Sequence, residues 1–354
     1  MVQDKRILTI LDDLKLDAIL VSNGFNMKYI SGFSGATGYV YFSRKKKIIF
    51  TDSRYTIQAE QESPDYQVKE IYSDYPEAIG ELIKEESIGQ LGFEAKDLLH
   101  SDFLELKEKL KVDQLTPILD EITNLRSIKT AEELELIKHA EGIGDIAFKQ
   151  ILNIIKPGMT ELEIAAHLEF IMKTNGAEGL SFDTIVASGI NSSMPHAVPT
   201  NKKIEQGDFI TMDFGCRYQG YCSDMTRTIV VGKANAEQKK IYNTVLNAQN
   251  AALDFIKAGY QGKEIDQIAR NYIHNTGYEG CFGHGLGHGV GLFIHEGPRL
   301  SPKEDGLILT NMVETVEPGI YIKGFGGVRI EDVVAITEDG CINYTKSEKK
   351  LIEL

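Results

Sequence analysis

Long apolar runs are missing from this 354-residue chain. No stretch approaches the roughly 18 to 20 consecutive apolar residues that span a bilayer, so no membrane role is expected. Met1 to Leu16 is charged and helical in pattern, with no apolar core of a secretion signal. Cysteine is scarce: Cys216, Cys222, Cys281 and Cys341 show no Cys-x-x-Cys spacing, and reduced thiols in a cytoplasmic protein are the expectation. Dense basic patches are lacking too. A formal charge of −14 repels phosphate backbones, and the one basic run, Arg44-Lys45-Lys46-Lys47, falls between two apolar segments as a solvated hairpin turn, so nucleic acid is excluded as a partner. Two hydrolase signatures are absent, His-Glu-x-x-His and Gly-x-Ser-x-Gly. The glycine-rich run Gly283 to Gly291 has neither the Gly-Lys-Ser/Thr ending of a phosphate loop nor dinucleotide-binding spacing.

What is present fills two domains, because 354 residues exceed one ordinary core and 42% of them are hydrophobic. Residues 1–125 alternate short strands (Ala18 to Val21, Tyr39 to Ser43, Lys47 to Thr51, Gln67 to Ile71) with helices (Glu77 to Glu86, Asp102 to Lys109), an α/β pattern of its own. Leu125 to Thr130 is the expected junction, since Thr130-Ala-Glu-Glu133 begins a helix with a capping box. The second domain, residues 130–354, should open with a helix from Ala131 to Ile155, stopped by Lys156-Pro157-Gly158, and a second from Glu161 to Thr174.

That second domain repeats itself. Gly158, Glu163, Ile164, Gly176 and Glu178 recur at one constant offset as Gly259, Glu264, Ile265, Gly277 and Glu279, with duplicate helices expected from Glu237 to Lys257 and Lys263 to Asn275. His196-Ala-Val-Pro199, Asp213-Phe-Gly215 and Asp224 recur as His295-Glu-Gly-Pro298, Glu317-Pro-Gly319 and Glu331. The pattern implies an α+β domain of two homologous lobes around a pseudo-twofold axis, on which both lobes contribute ligands. Between the helix pairs, Phe209 to Cys216 and Tyr221 to Val231 form a hairpin. A turn centred on Tyr218-Gln219 places Asp213 directly opposite Asp224, and such side chains sit about 5 Å apart on one face. Two buried carboxylates at that distance repel unless a cation lies between them. Carboxylates with the imidazoles His284 and His288 suit manganese, cobalt, iron or zinc, whereas Cys216 and Cys222, though flanking the hairpin, are poor company for such a hard site.

The words MDFG, SDMTRT, GHGLGHGVG, VEPGIY and GGVRIED, carrying Asp213, Asp224, His288, Glu317 and Glu331 in order, resemble the metal-dependent Xaa-Pro peptidases of the pita-bread fold, prolidase and aminopeptidase P. Asn26 to Gly35 and Phe50 to Tyr55 resemble that family's creatinase-like N-terminal domain, so the likeness covers almost the whole chain. It implies that those five residues hold two divalent metal ions, manganese or cobalt foremost, and that the substrate is a small peptide with proline second. The choice of His288 among the histidines comes from the likeness alone, as does the proline preference. On this reading Glu317 moves the proton of the attacking water to the leaving nitrogen, and His295, His196 and His284 donate hydrogen bonds to the substrate carbonyl and oxyanion. Arg299 is similarly placed to a prolidase arginine that holds a free substrate carboxylate. Arg329, two residues before Glu331 on one presumed strand and so on the same face, is expected to orient that acid and to border the substrate. A homodimer, in which an N-terminal domain walls off the partner's site, is also implied. The alternatives are a non-catalytic peptide-binding module of the same fold and a metal-independent, creatinase-like amidinohydrolase; both should have shed ligands that this chain keeps.

Overall fold

The structure, a computed structural model, describes residues 2–354, the side chain of Val2 excepted. It divides into two compact units, Met1–Arg126 and Ser127–Leu354. The first unit runs α1 (Val2–Asp13), β1 (Ala18–Val21), α2 (Gly24–Ser31), β2 (Tyr39–Ser43), β3 (Lys47–Thr51), α3 (Thr56–Glu62), β4 (Gln67–Glu70), α4 (Tyr75–Glu86), β5 (Gln90–Glu94), α5 (His100–Lys109), β6 (Gln114–Ile118) and α6 (Glu121–Ser127). Its six strands form one mixed sheet in the order β4-β3-β2-β1-β5-β6. The basic run turns the β2–β3 hairpin as expected: Ser43 Oγ accepts from the Lys45 and Lys46 amides at 3.1 and 2.9 Å, and Arg44, Lys46 and Lys47 pair at the surface with Asp12, Glu85 and Asp4.

The second unit begins with α7 (Ala131–Ile151) and α8 (Glu161–Thr174), both opened by capping boxes, Thr130 with Glu133 and Thr160 with Glu163. Helix α7 stops at Ile151, short of the expected Ile155, because the amides of Ile154 and Ile155 both fold back on the Ile151 carbonyl before Pro157-Gly158 is reached. Strands β7 (Gly179–Leu180), β8 (Ile185–Ser188), β9 (Phe209–Phe214), β10 (Cys216–Tyr218), β11 (Tyr221–Cys222) and β12 (Met225–Val230) complete the first lobe. The second lobe repeats the plan with α9 (Ala236–Phe255), α10 (Gly262–Ile273), β13 (Gly287–Gly289), β14 (Glu296–Leu300), β15 (Val313–Val316), β16 (Gly319–Ile322), β17 (Gly326–Arg329), β18 (Asp332–Ile336) and β19 (Cys341–Asn343). The matching sheets run β12-β9-β8 and β14-β13-β15-β18-β19. Each helix pair packs an apolar stripe on its own sheet: Ile143, Phe148, Ile164 and Leu168 in one lobe, Ile241, Val245, Ile265 and Ala269 in the other. The two sheets thus leave their other faces for something else.

The first-lobe hairpin turns one residue later than expected, and Asp213 does not face Asp224. Gln219 and Gly220 hold φ of +48° and +87°, the pair of left-handed conformations that lets a two-residue turn match strand twist. Tyr218 therefore pairs with Tyr221, and Asp213 lies opposite Thr226, with Asp224 diagonal to it. The ladder breaks at Gly215, where an added Cβ would lie 2.0 Å from the Ser223 carbonyl oxygen. There the Asp224 amide leaves the sheet and donates to Glu141 Oε1 of α7 at 2.7 Å. Gly215→Ala should push Ser223 and Asp224 apart from β9 and lower the unfolding free energy by about 1–3 kcal/mol, measured as a shift of the urea midpoint at constant slope.

Candidate metal centre

The faces left uncovered meet in one cavity of about 450 Å³ lined by Asp213, Asp224, His288, Glu317 and Glu331 together. Each acid sits where a strand ends or kinks: Asp213 near the end of β9, Asp224 at the ladder break, Glu317 just after β15, Glu331 between β17 and β18. His288 lies within β13, where Gly287 lets the strand approach β15; an added Cβ at Gly287 would lie 2.0 Å from the Thr315 carbonyl oxygen. Asp224, His288 and Glu331 offer ligand atoms that all lie within 4.8 Å of one another. His288 Nε2 is 3.6 Å from both Asp224 Oδ2 and Glu317 Oε1. Those gaps are too long for hydrogen bonds and leave space for an ion that binds nitrogen and oxygen at about 2.0–2.2 Å.

The protonation pattern suits that ion. His288 Nδ1 faces the Gly289 carbonyl at 3.1 Å, which puts the proton there and the Nε2 lone pair toward the acids. Burial pushes His288 down to about 3, so the ring is neutral. Burial also raises Asp224 and Glu331 well above the ordinary carboxylate range, with neighbouring acids adding to it, Glu331 first for Asp224 and Glu317 first for Glu331. Glu317 is pushed up to about 8 by burial, against the pull of Arg329. Asp213 Oδ1 is buried without a hydrogen-bond partner. A carboxylate oxygen with nothing to accept, a lone pair aimed at acids and acids that repel one another are the donor set of hard divalent cations.

Arg329 departs from its expected place. Strand β17 ends at Arg329 and β18 begins at Asp332, so Arg329 and Glu331 do not share a strand. The buried guanidinium donates instead to Asp213 Oδ2 at 2.6 Å, the Tyr321 hydroxyl at 2.9 Å, Thr226 Oγ1 at 3.0 Å and the Pro195 carbonyl at 3.2 Å. It reaches Glu331 only through Thr226, whose hydroxyl donates to Glu331 Oε2 at 2.6 Å. The guanidinium, its donors committed to protein atoms, holds Asp213, and the side chain also lines the cavity, as its expected place beside a substrate requires.

His284 departs as well. Its Nδ1 faces the Gly285 carbonyl and its Nε2 faces the Tyr321 hydroxyl, both at 2.8 Å, and burial holds the ring neutral by pushing it down to about 4. Nδ1 then carries the proton and Nε2 accepts from Tyr321, so no N–H points into the cavity. His196 and His295 line the cavity from exposed rim positions with no hydrogen-bond partner among the described residues, and the His295 ring stands edge-on to His288 at 4.6 Å. Arg299, also at the rim, pairs with His288 in the β13–β14 register. Cys216 and Cys222 are buried, point at the Ala140 and Leu292 carbonyls, and are held as thiols by burial that pushes each up to about 12, so neither serves a metal.

Three supports escaped the sequence reading. Tyr321 links His284 to Arg329; its only trace was the word VEPGIY, whose Gly319 leaves the hydroxyl room. Glu161, fully buried in the first turn of α8, accepts from the Ser188 amide and hydroxyl, the Thr200 amide and hydroxyl and the Asn191 side chain, and so ties down both ends of the segment bearing Pro195 and His196. In the other lobe buried Asp266 takes Arg270 at 2.7 and 2.8 Å, and Arg270 donates to the Phe282 and His284 carbonyls. Neither acid belongs to a recognisable motif.

Residues 135–338 match the metallopeptidase family M24 model, and residues 5–128 match the creatinase/prolidase N-terminal domain. The chain belongs to metallopeptidase family M24, in the branch that carries that N-terminal domain. It is 41% identical to an Xaa-Pro dipeptidase of Pyrococcus horikoshii over 98% of each chain. Its structure superposes on an Xaa-Pro dipeptidase from Bacillus anthracis with a TM-score of 0.96, 43% identity and 99% coverage of both chains. On an X-Pro aminopeptidase from Thermotoga maritima the TM-score is 0.92, with 39% identity and coverage of 97% and 99%. The pita-bread fold and peptidase class expected from the sequence are borne out, and a non-catalytic module finds no support.

An acid whose folded pKa is raised binds its proton more tightly folded than unfolded, so metal-free stability is greatest below the unfolded value and falls as pH rises toward the folded one. Chelator-treated protein should therefore lose thermal stability between about pH 4.5 and pH 8, the window set by Glu317. Manganese should flatten that decline, because it binds the ionised carboxylates; melting curves across pH with and without the ion check it.

Proposed function

We propose that the chain hydrolyses the bond between an N-terminal residue and proline, with dipeptides as its preferred substrates. The observation that carries this is the convergence of four carboxylates and the Nε2 lone pair of His288 in a cavity with Arg299 at its rim. Asp213, Asp224, His288, Glu317 and Glu331 would hold two divalent cations, manganese or cobalt before zinc or iron. Such a pair would supply Lewis acidity, lowering the pKa of a water toward neutrality and polarising the scissile carbonyl. Glu317 takes the proton of the attacking water and passes it to the leaving proline nitrogen. His196 and His295 donate to substrate carbonyl oxygens, and Arg299 takes the C-terminal carboxylate. Arg329 holds Asp213 at its angle. Residues 1–125 act as the creatinase-like domain and 130–354 as the catalytic one. A homodimer in the cytoplasm fits the family and the four free cysteines.

An aminopeptidase acting on longer peptides is the second reading, favoured by the name of the Thermotoga maritima neighbour. Ala-Pro and Ala-Pro-Ala, assayed with purified manganese-loaded protein, separate the two: faster turnover of the dipeptide supports the first, faster turnover of the tripeptide the second, and inertness toward both overturns the peptidase reading. Glu317→Gln should lower kcat by at least about a hundredfold while the chain still folds to the wild-type circular-dichroism spectrum; wild-type turnover would remove Glu317 from proton transfer. Arg299→Ala should raise KM for Ala-Pro and leave kcat nearly intact, the pattern of lost uniform binding; an unchanged KM retires the carboxylate clamp.

A further inference from the structure

The cavity holds one acid outside the metal set. Asp183 lines it beside Phe182 and Ile185, is exposed, and makes no hydrogen bond or ion pair among the described residues. It sits on the first lobe: Ile185 begins β8 and pairs directly with Asp213, so Asp183 stands at the same wall just before the strand starts. The repeat that carries Gly176 to Gly277 carries Asp183 to His284, which also lines the cavity. Where the second lobe presents a neutral imidazole locked by Tyr321 and Gly285, the first presents an unengaged carboxylate. Arg299 lies on the second lobe, in register with His288. Arg299 and Asp183 thus belong to different lobes, and the other cation that lines the cavity, Arg329, is already paired with Asp213.

That separation of charge orients a substrate, given the functional reading above. A peptide whose proline carboxylate lies toward Arg299 and whose scissile carbonyl lies at the ligands directs the residue before proline toward the first-lobe wall. There it meets the apolar surfaces of Phe182, Ile185 and Pro195, with the Asp183 carboxylate beside them. We propose that Asp183 sets the preference for the residue before proline, favouring long side chains that pair an apolar stem with a cationic tip and rejecting acidic ones. The stem of lysine or arginine covers the apolar wall while its charge reaches the carboxylate, the division of labour such side chains make at any half-wet surface. An acidic side chain meets like charge at the same place.

The test is kcat/KM for Lys-Pro, Leu-Pro and Glu-Pro, measured on the manganese-loaded full-length protein, its Asp183→Asn variant and its Asp183→Lys variant. The wild type should favour Lys-Pro over Glu-Pro by about fivefold or more, the scale of a solvent-screened ion pair together with the matching repulsion. Asp183→Asn should bring the two close to parity and leave Leu-Pro within about twofold of wild type, since a neutral substrate has no ion pair to lose; Asp183→Lys should invert the order. An unchanged Lys-Pro to Glu-Pro ratio in Asp183→Asn overturns the proposal. So does an equal fall for all three substrates, which would assign Asp183 to the peptide's amino terminus instead. If the wild type hydrolyses none of the three, the functional reading fails by itself. Calorimetric titration of the manganese-loaded wild type with the same dipeptides still reads the charge preference: tighter binding of Lys-Pro than Glu-Pro sustains it, and equal binding ends it.

Discussion

Four carboxylates and an imidazole converge on one cavity, and their mutual repulsion is the constraint to which the catalytic unit answers. One guanidinium, Arg329, stands among them, and its 2.6 Å pair with Asp213 offsets one charge of four. The rest is left to protonation or to cations. Protonation is what burial enforces in the metal-free chain, raising Asp224 and Glu331 well above their usual range. Cations do it without a proton, which leaves the acids ionised and the site competent for hydrolysis at neutral pH. Charges of this kind, buried without a stabilising partner, cost several kcal/mol each; they persist in folded chains where a function retains them.

The fold meets the constraint by bringing the ligands in from two directions. Each lobe spends one sheet face on its helix pair and turns the other to the cavity, and each interrupts its strands where an acid must point inward. Gly215 allows the first lobe's break, and Glu141 on α7 takes the amide that the ladder gives up. The supports are similarly divided. Glu161 fixes the segment bearing His196, while Asp266 with Arg270 fixes the one bearing His284. Both supports hang from the second helix of each pair, Glu161 in the first turn of α8 and Asp266 one turn into α10, so the rigid layer of each lobe positions a loop at the rim. The lobes diverge at the equivalent positions 183 and 284, where one presents an exposed carboxylate and the other an imidazole engaged by Tyr321 and Gly285.

Much of this was legible before any coordinates. Strands β1, β2 and β3 and helix α8 fall where periodicity placed them, because each is a short apolar or amphipathic run bounded by caps or turn residues. The acids were legible because duplication shows each twice. What failed did so for local reasons. The hairpin register turned on whether Gln219 or Tyr218 takes the first left-handed place, and sequence pattern does not weigh that against Gly220. Arg329 was assigned to Glu331 by counting along a strand that in fact ends between them. Tyr321 and Glu161 act through neighbours distant in sequence, His284 for the one and Ser188 and Thr200 for the other, while Asp266 and Arg270 stand four apart on α10, a spacing that suits any surface ion pair and does not announce burial.

The account stands on the ligands being a cation site and not a cluster of protonated acids. Calorimetric titration of chelator-treated protein with manganese at neutral pH, repeated on Glu331→Gln, tests that most directly. The prediction is about two ions per chain with proton release on binding, reduced in stoichiometry or affinity by the substitution. Absence of any saturable binding to the intact chain, or binding that the substitution leaves untouched, would contradict it.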